Sequence, residues 1–222
     1  MSLTLYYHPL ASFCWKVLIA LYEAEVPFAR EVVDLGDKDS RARFLAIWPL
    51  GKMPVLVDQA RGTTLPETSI IIEYLARHEP GAATLLPTEP ELALQTRLRD
   101  RFFDLYVQEP MQKIVADRLR PAGAKDGFGV EAARAQLRTA YGLIETQMAG
   151  QPWAMGETFT LADCAAAPAL YYANRVEPFG AMHPKTAAYL ERLLARPSVT
   201  RTVAEAEPYF GLFPAAPSQG AD

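Results

Sequence analysis

Apolar and polar positions in the first eighty residues alternate between two periods. Leu3–Tyr7 is a short apolar and aromatic run stopped by His8-Pro9, and it reads as a strand. From Cys14 the apolar positions fall at Cys14, Val17, Leu18 and Leu21, the i, i+3, i+4, i+7 stripe of a helix. Ser12 stands just ahead of that stripe, where an N-cap belongs. Phe28–Val33 reads as a second strand and Ser40–Ile47 as a short helix ended by Trp48-Pro49. Gly51-Lys52-Met53-Pro54 then leads into Val55–Asp58, and Thr63–Leu65 follows the turn residues Arg61-Gly62, the pattern of a β-hairpin. Pro66-Glu67-Thr68-Ser69 opens a helix with Ile71, Tyr74, Leu75 and His78 on one stripe. The order is β-α-β-α-β-β-α.

After this the strand signals stop. Pro80-Gly81, Pro87 and Pro90 mark a linker. Leu92–Leu119 carries a long helical pattern that Pro110 should kink. Pro121–Gly129 reads as a loop, and helices follow at Glu131–Ala149, Leu161–Arg175 with Pro168 in its interior, Pro184–Arg196 and Ser198–Glu207. Thr160-Leu161-Ala162-Asp163 has the form of a capping box, with Phe159 placed to staple the start of the helix. That motif predicts a helix start and not a site. The chain end, Pro214–Asp222, reads as a disordered tail.

Composition narrows the function classes. The chain has 222 residues, half of them hydrophobic and 22% charged, which suits one or two packed domains. Its formal net charge of −4 excludes a broadly basic nucleic-acid binder. No apolar run approaches the ~18–20 residues of a membrane span, and the first residues lack the basic and apolar regions of a secretory signal. The two cysteines, Cys14 and Cys164, form no CxxC pair and no zinc spacing with His8, His78 or His183. The expectation is a cytoplasmic enzyme with reduced thiols and no metal.

Four features in this order resemble the cytosolic-type glutathione S-transferase family, in a bacterial and serine-type form. They are the β-α-β-α-β-β-α unit, the run Pro49-Leu50-Gly51-Lys52-Met53-Pro54-Val55-Leu56, the acid-hydroxyl pair Glu67-Thr68, and a helical region with a capping box. The resemblance spans about residues 1–210. It implies an α/β plus all-α protein: a thioredoxin-like glutathione-binding domain at 1–80, a linker at 81–91, an all-helical domain at 92–213 and the tail at 214–222. It also implies a homodimer, joined between the first domain of one chain and the helix Leu92–Leu119 of the other, that transfers glutathione, its co-substrate, to a small apolar electrophile in detoxification. The alternatives are a glutathione-dependent disulfide reductase or peroxidase, and a non-catalytic binding protein.

The residues make chemical sense in that role. Glutathione carries two carboxylates, one ammonium and a thiol. By the resemblance, Pro54 follows a cis peptide bond and the backbone of Met53 binds the cysteinyl part as an added strand. Thr68 holds the γ-glutamyl carboxylate at a helix N-terminus, Glu67 pairs with the ammonium, and Lys52 with the glycyl carboxylate. Taken as a tetrapeptide, Pro66–Ser69 is equally a helix cap. Beside the sulfur the family places Tyr, Ser or Cys. Cys14 lies in register with the apolar stripe and should be a buried, inert thiol, whereas Ser12 precedes the first turn. The expected catalytic residue is therefore Ser12, with Cys14 and Tyr7 as the other candidates and Tyr6 on the strand before them. The serine of several serine-type classes falls on Ala11 by the same count. The second substrate is expected against Phe103, Tyr106, Met111 and Tyr171 or Tyr172, with Tyr209–Phe213 covering that pocket or packing beside it.

Overall fold

The structure, a computed structural model, describes residues 2–215. Strand β1 (Leu3–Tyr7) lies inside a four-stranded sheet of order β2-β1-β3-β4, with β2 at Ala29–Val32, β3 at Val55–Asp58 and β4 at Thr63–Leu65. β1 and β2 run parallel, from Thr4↔Ala29 to Tyr7↔Val32, because helix α1 (Ser12–Glu23) crosses between them. β3 returns antiparallel to β1, from Leu3↔Asp58 to Tyr6↔Val55, and β4 completes the expected hairpin. Helix α2 (Lys38–Ile47) begins two residues before the expected Ser40, because Asp37 accepts from the Ser40 N–H as its cap. Helix α3 (Thr68–His78) closes the unit.

The apolar stripe of α1 is buried as expected, and so are Trp15, Ile19 and Ala20 between its positions. α1 is covered on several sides, packing on α3 and on two helices of the second half, α7 (Leu161–Val176) and α9 (Pro197–Ala206). The expected linker is also packed. Pro80–Leu85 forms a 3₁₀ turn that buries Ala82 and Leu85. Gly81 is required there, since a Cβ would stand 2.2 Å from the Ala24 carbonyl oxygen.

The expected helix Leu92–Leu119 is three segments: α4 (Pro90–Phe102), a π-helical turn (Phe103–Gln108) and α5 (Glu109–Arg118). Pro110 brings no N–H to the carbonyl four residues back, and the chain relaxes into wider turns just before it. Helices α6 (Gly127–Gln147) and α8 (Pro184–Leu194) complete the helical half. α6 starts four residues earlier than the pattern suggested, capped by Asp126, whose carboxylate accepts from the Gly129 N–H.

The capping box at α7 is present, with Phe159 buried beside it. Asp163 does more than cap. Its carboxylate accepts from the N–H of Thr160 at 2.9 Å, the N–H of Ala154 at 2.8 Å, the Thr160 hydroxyl at 3.2 Å and the Tyr189 hydroxyl at 2.6 Å. It thereby ties the segment before α7 and the helix after it to one buried point. At the chain end the Pro214 carbonyl accepts from Arg118; residues 216–222 of the expected tail lie outside the described residues.

Candidate functional site

A cleft of about 200 Å³ opens between the sheet unit and the helical half. Lys52, Met53 and Pro54, on the segment before β3, line it together with Glu67 and Thr68 at the start of α3. The five residues expected at the glutathione are thus gathered in one place. The Met53–Pro54 peptide is cis. Met53 lies beyond the last paired position of the sheet, Tyr6↔Val55. Glu67 has φ 69° and ψ 113°, unusual for a residue with a side chain, and such conformations concentrate at functional sites. It occupies the N-cap position, yet its side chain makes no capping bond. The carboxylate is therefore spare, which separates this turn from a plain helix cap. Thr68 is buried and opens the helix.

Ser12 is placed differently from its expected role as a cap. Ala11 holds the N-cap position, because its extended backbone (φ −78°, ψ 117°) meets the requirement and its carbonyl receives the Cys14 and Trp15 N–H groups. Ser12 is the first helical residue, and its Oγ accepts a hydrogen bond from Nε2 of Gln108, on the π-helical turn. The next residue, Phe13, lines the cleft. The loop ahead of Ser12 is held from both halves: Trp15 Nε1 donates to the Pro9 carbonyl at 2.5 Å, and the Tyr172 hydroxyl donates to the Leu10 carbonyl at 2.8 Å.

The other candidates face elsewhere. Cys14 is fully buried and burial pushes its thiol up to about 12, so it carries no thiolate near neutrality. Tyr7 is buried on the side of Arg30 and Glu205, and burial raises its phenol above the ordinary value. Tyr6 points to the opposite face of the sheet, against Phe44.

The four residues expected around the second substrate do not meet at the cleft. Phe103 and Met111 are core. Tyr171 is buried, its ring 4.8 Å from Trp15 and 5.9 Å from Phe210. Tyr106 is half exposed on a separate groove with Phe102, Gln136 and Leu143. The π-helical turn changes which face of this segment looks inward, and the residues it presents to the cleft are Asp104 and Leu105, followed by Glu109 and Gln112 on α5 and preceded by Arg101 on α4. Tyr209–Phe213 packs: Phe210 lies near Trp15 and Tyr172, and Tyr209 stands edge-on to His8.

Behind the cleft lies an ionic cluster that hydrophobic patterning does not reveal. Lys16 Nζ stands 2.6 Å from Asp100 Oδ1 and 2.8 Å from Asp104 Oδ2, and donates to Ser69 Oγ at 3.0 Å. Ser69 in turn donates to Asp100 at 2.6 Å, and Arg101 reaches Asp104 at 3.0 Å. The sequence signal was a lysine between Trp15 and Val17 in an otherwise apolar run. The cleft itself offers the cations Lys52 and Arg101 beside the carboxylates of Glu67, Asp104 and Glu109, a mixture suited to a zwitterionic ligand. Among the described residues no group of three His, Cys, Asp or Glu is placed to hold a metal ion.

The chain is similar to known proteins over most of its length. Residues 11–78 match the family model of the glutathione S-transferase N-terminal domain, and residues 127–192 that of the C-terminal domain. The chain is 29% identical over 197 residues to a glutathione S-transferase of Pseudomonas putida, covering 86% of each chain. It is 31% identical over 178 residues to a probable maleylacetoacetate isomerase of Caenorhabditis elegans, covering 77% of this chain and 78% of the other. The crystal structure of a glutathione S-transferase from Methylobacillus flagellatus with glutathione bound superposes with a TM-score of 0.83 at 24% identity, over 90% of this chain and 98% of that one. That last likeness speaks to the fold.

Proposed function

The chain belongs to the cytosolic-type glutathione S-transferase family, and from that premise we propose that it binds glutathione in the cleft, lowers the pKa of its thiol and transfers it to a small electrophile. The observation that carries this reading is the convergence of Lys52, Met53, Pro54, Glu67 and Thr68, from two separate segments, on one cleft beside the start of α1. The Thr68 hydroxyl and the free N–H groups at the α3 N-terminus take the γ-glutamyl carboxylate. Glu67 takes the ammonium, Lys52 the glycyl carboxylate, and the Met53 backbone the cysteinyl part. Ser12 donates a hydrogen bond to the thiolate sulfur, and Phe13 and Leu105 offer apolar contact to the electrophile.

The magnitudes suffice. A free thiol with a pKa of ~8.5 is only a few per cent thiolate at neutral pH. Lowering that pKa by ~2 units needs ~2.7 kcal/mol. A hydroxyl donating to an anion supplies ~1.5–3 kcal/mol, and a helix N-terminus ~0.3–1 kcal/mol. Serine need act neither as base nor as nucleophile. The disulfide-reductase or peroxidase alternative would need a cysteine at the thiol site or use bound glutathione directly, and the complete burial of Cys14 argues against the first route.

Two variants test the assignment by titration calorimetry and by thiolate absorbance across pH. Glu67→Ala should weaken glutathione binding by about 1.5–3 kcal/mol, the worth of a hydrogen bond to a charged group. Ser12→Ala should raise the pKa of bound glutathione by about one to two units and lower turnover, with affinity little changed. An unchanged dissociation constant for the first variant would remove Glu67 from the site.

The same reading includes a two-fold homodimer, the commonest symmetry for such chains. Ile70 on α3 and Leu94 and Leu98 on α4 are each more than half exposed, apolar surface that a second chain would cover. Light scattering at micromolar concentration should give twice the 24.5 kDa chain mass. A mass equal to one chain would refute it.

A further inference from the structure

Gln108 is a buried amide on the π-helical turn, 2% exposed, at the boundary between the two halves of the chain. Its Nε2 donates to Ser12 Oγ, and its Oε1 is buried without a hydrogen-bond partner. Asp104, Gln108 and Gln112 follow at intervals of four, and the wide π-helical turn keeps that spacing close to one face. Asp104 and Gln112 both line the cleft. Gln108 therefore falls midway in sequence between two cleft residues and contacts Ser12 beside Phe13, which lines the cleft.

The two ends of an amide have opposite consequences for a serine. A hydroxyl has one proton and two acceptor lone pairs. Facing a carbonyl oxygen, it donates its one hydrogen bond to that oxygen. Facing an NH₂ group, it accepts, and its proton stays available for another acceptor. In this structure the NH₂ end faces Ser12. Among the described residues the Oε1 end has no donor, so the hydrogen bonding of this amide runs through Nε2 to Ser12.

We propose that Gln108 is a positioning residue that fills an acceptor lone pair of Ser12 and so directs the serine proton toward the bound glutathione sulfur. This rests on the reading of Ser12 given above. The hydroxyl comes from one half of the chain and its orienting amide from the other, so thiol activation depends on both halves being docked. The amide acts through Ser12 and need not touch the sulfur.

A double-mutant cycle tests this, with the pKa of bound glutathione followed by thiolate absorbance. Gln108→Met keeps the length and removes both polar ends. It should raise the thiol pKa by about half to one unit, the equivalent of a neutral hydrogen bond, and should add nothing once Ser12→Ala is present. Gln108→Glu keeps the shape but presents only acceptors; it should raise the pKa further in the Ser12 protein than in Ser12→Ala, and it carries the test if the methionine variant does not fold. If Ser12→Ala raises the pKa while Gln108→Met leaves it unchanged or lowers it, or if the two effects simply add, the positioning role is wrong and the Ser12 reading survives. A lower melting temperature with no change in thiol pKa shows a structural role and equally overturns it. If Ser12→Ala itself leaves the pKa unchanged, the underlying reading fails and the inference with it.

Discussion

Lys16→Met should destabilise the folded chain by about 3–5 kcal/mol at neutral pH, the usual result of removing one partner from a buried ion pair. The lysine and Asp100 side chains are each 1% exposed and Asp104 is 6% exposed, so water cannot replace the lost cation. Arg101 is half exposed and reaches Asp104 alone. At roughly 2–4 °C per kcal/mol for a chain of this size, the melting temperature should fall by roughly 6–20 °C. The pH dependence has a definite sign. Burial already raises the Asp104 carboxyl above its ordinary value, and losing the Lys16 charge, its strongest opposing influence, would raise it further. The folded variant then holds a proton that the unfolded chain releases near pH ~4, so its stability rises as pH falls toward that value. The deficit relative to the parent chain should be smaller at pH 5 than at pH 7. Thermal melts at both pH values decide it; equal deficits would mean that the carboxylates find another partner.

Asp163→Ala should cost a similar ~3–5 kcal/mol through a different mechanism. Four donors converge on this carboxylate, and alanine would strand the Ala154 and Thr160 N–H groups and the Tyr189 hydroxyl in a site closed to water. Asp163→Asn keeps one acceptor oxygen but turns an NH₂ toward the remaining donors, and should lose about 1–3 kcal/mol. Burial raises the Asp163 carboxyl even against these bonds. The native state therefore holds this proton to higher pH than the unfolded chain, and the contribution of this group to stability falls as pH rises from about 4 through its folded pKa. Denaturant titration of both variants measures the losses. An alanine variant within 1 kcal/mol of the parent would show that water reaches the site.

Strong local chemistry made parts of this fold legible in the sequence. Val55–Asp58 and Thr63–Leu65 stood out because Arg61-Gly62 separates two strand-like runs, and Gly62 does adopt φ 59°. Thr160 and Asp163 stood out because a capping box has fixed spacing. Glu67 and Thr68 were singled out by the family resemblance, since Pro66–Ser69 taken alone reads as a helix cap. Other features depend on tertiary context. Ala11 caps α1 with its backbone alone, so nothing in its side chain announces it. The π-helical turn has no pattern of its own in the sequence, and without it the aromatic residues Phe103 and Tyr106 were the natural choice for a pocket. They are a core residue and a residue of another groove. Gln108 escaped notice because a glutamine on a helix is usually solvated, and only the partner half shows that it is enclosed.

The π-helical turn also has a consequence for how this chain tolerates changes in length. Such a turn amounts to one extra residue accommodated inside a helix. Deleting a single residue within Phe103–Gln108 would let the segment close into regular α-helix, and the positions of α5 would shift by about 100° around the helix axis relative to α4. With the deletion placed after Asp104, that residue would stay on the cleft wall while Glu109 and Gln112 left it and Gln108 parted from Ser12. Relatives that differ here by one residue would share the sheet-side wall of the cleft yet present unlike surfaces on its helical side. A single codon of length variation in α4–α5 is thus enough to change the helical half of the cleft wall.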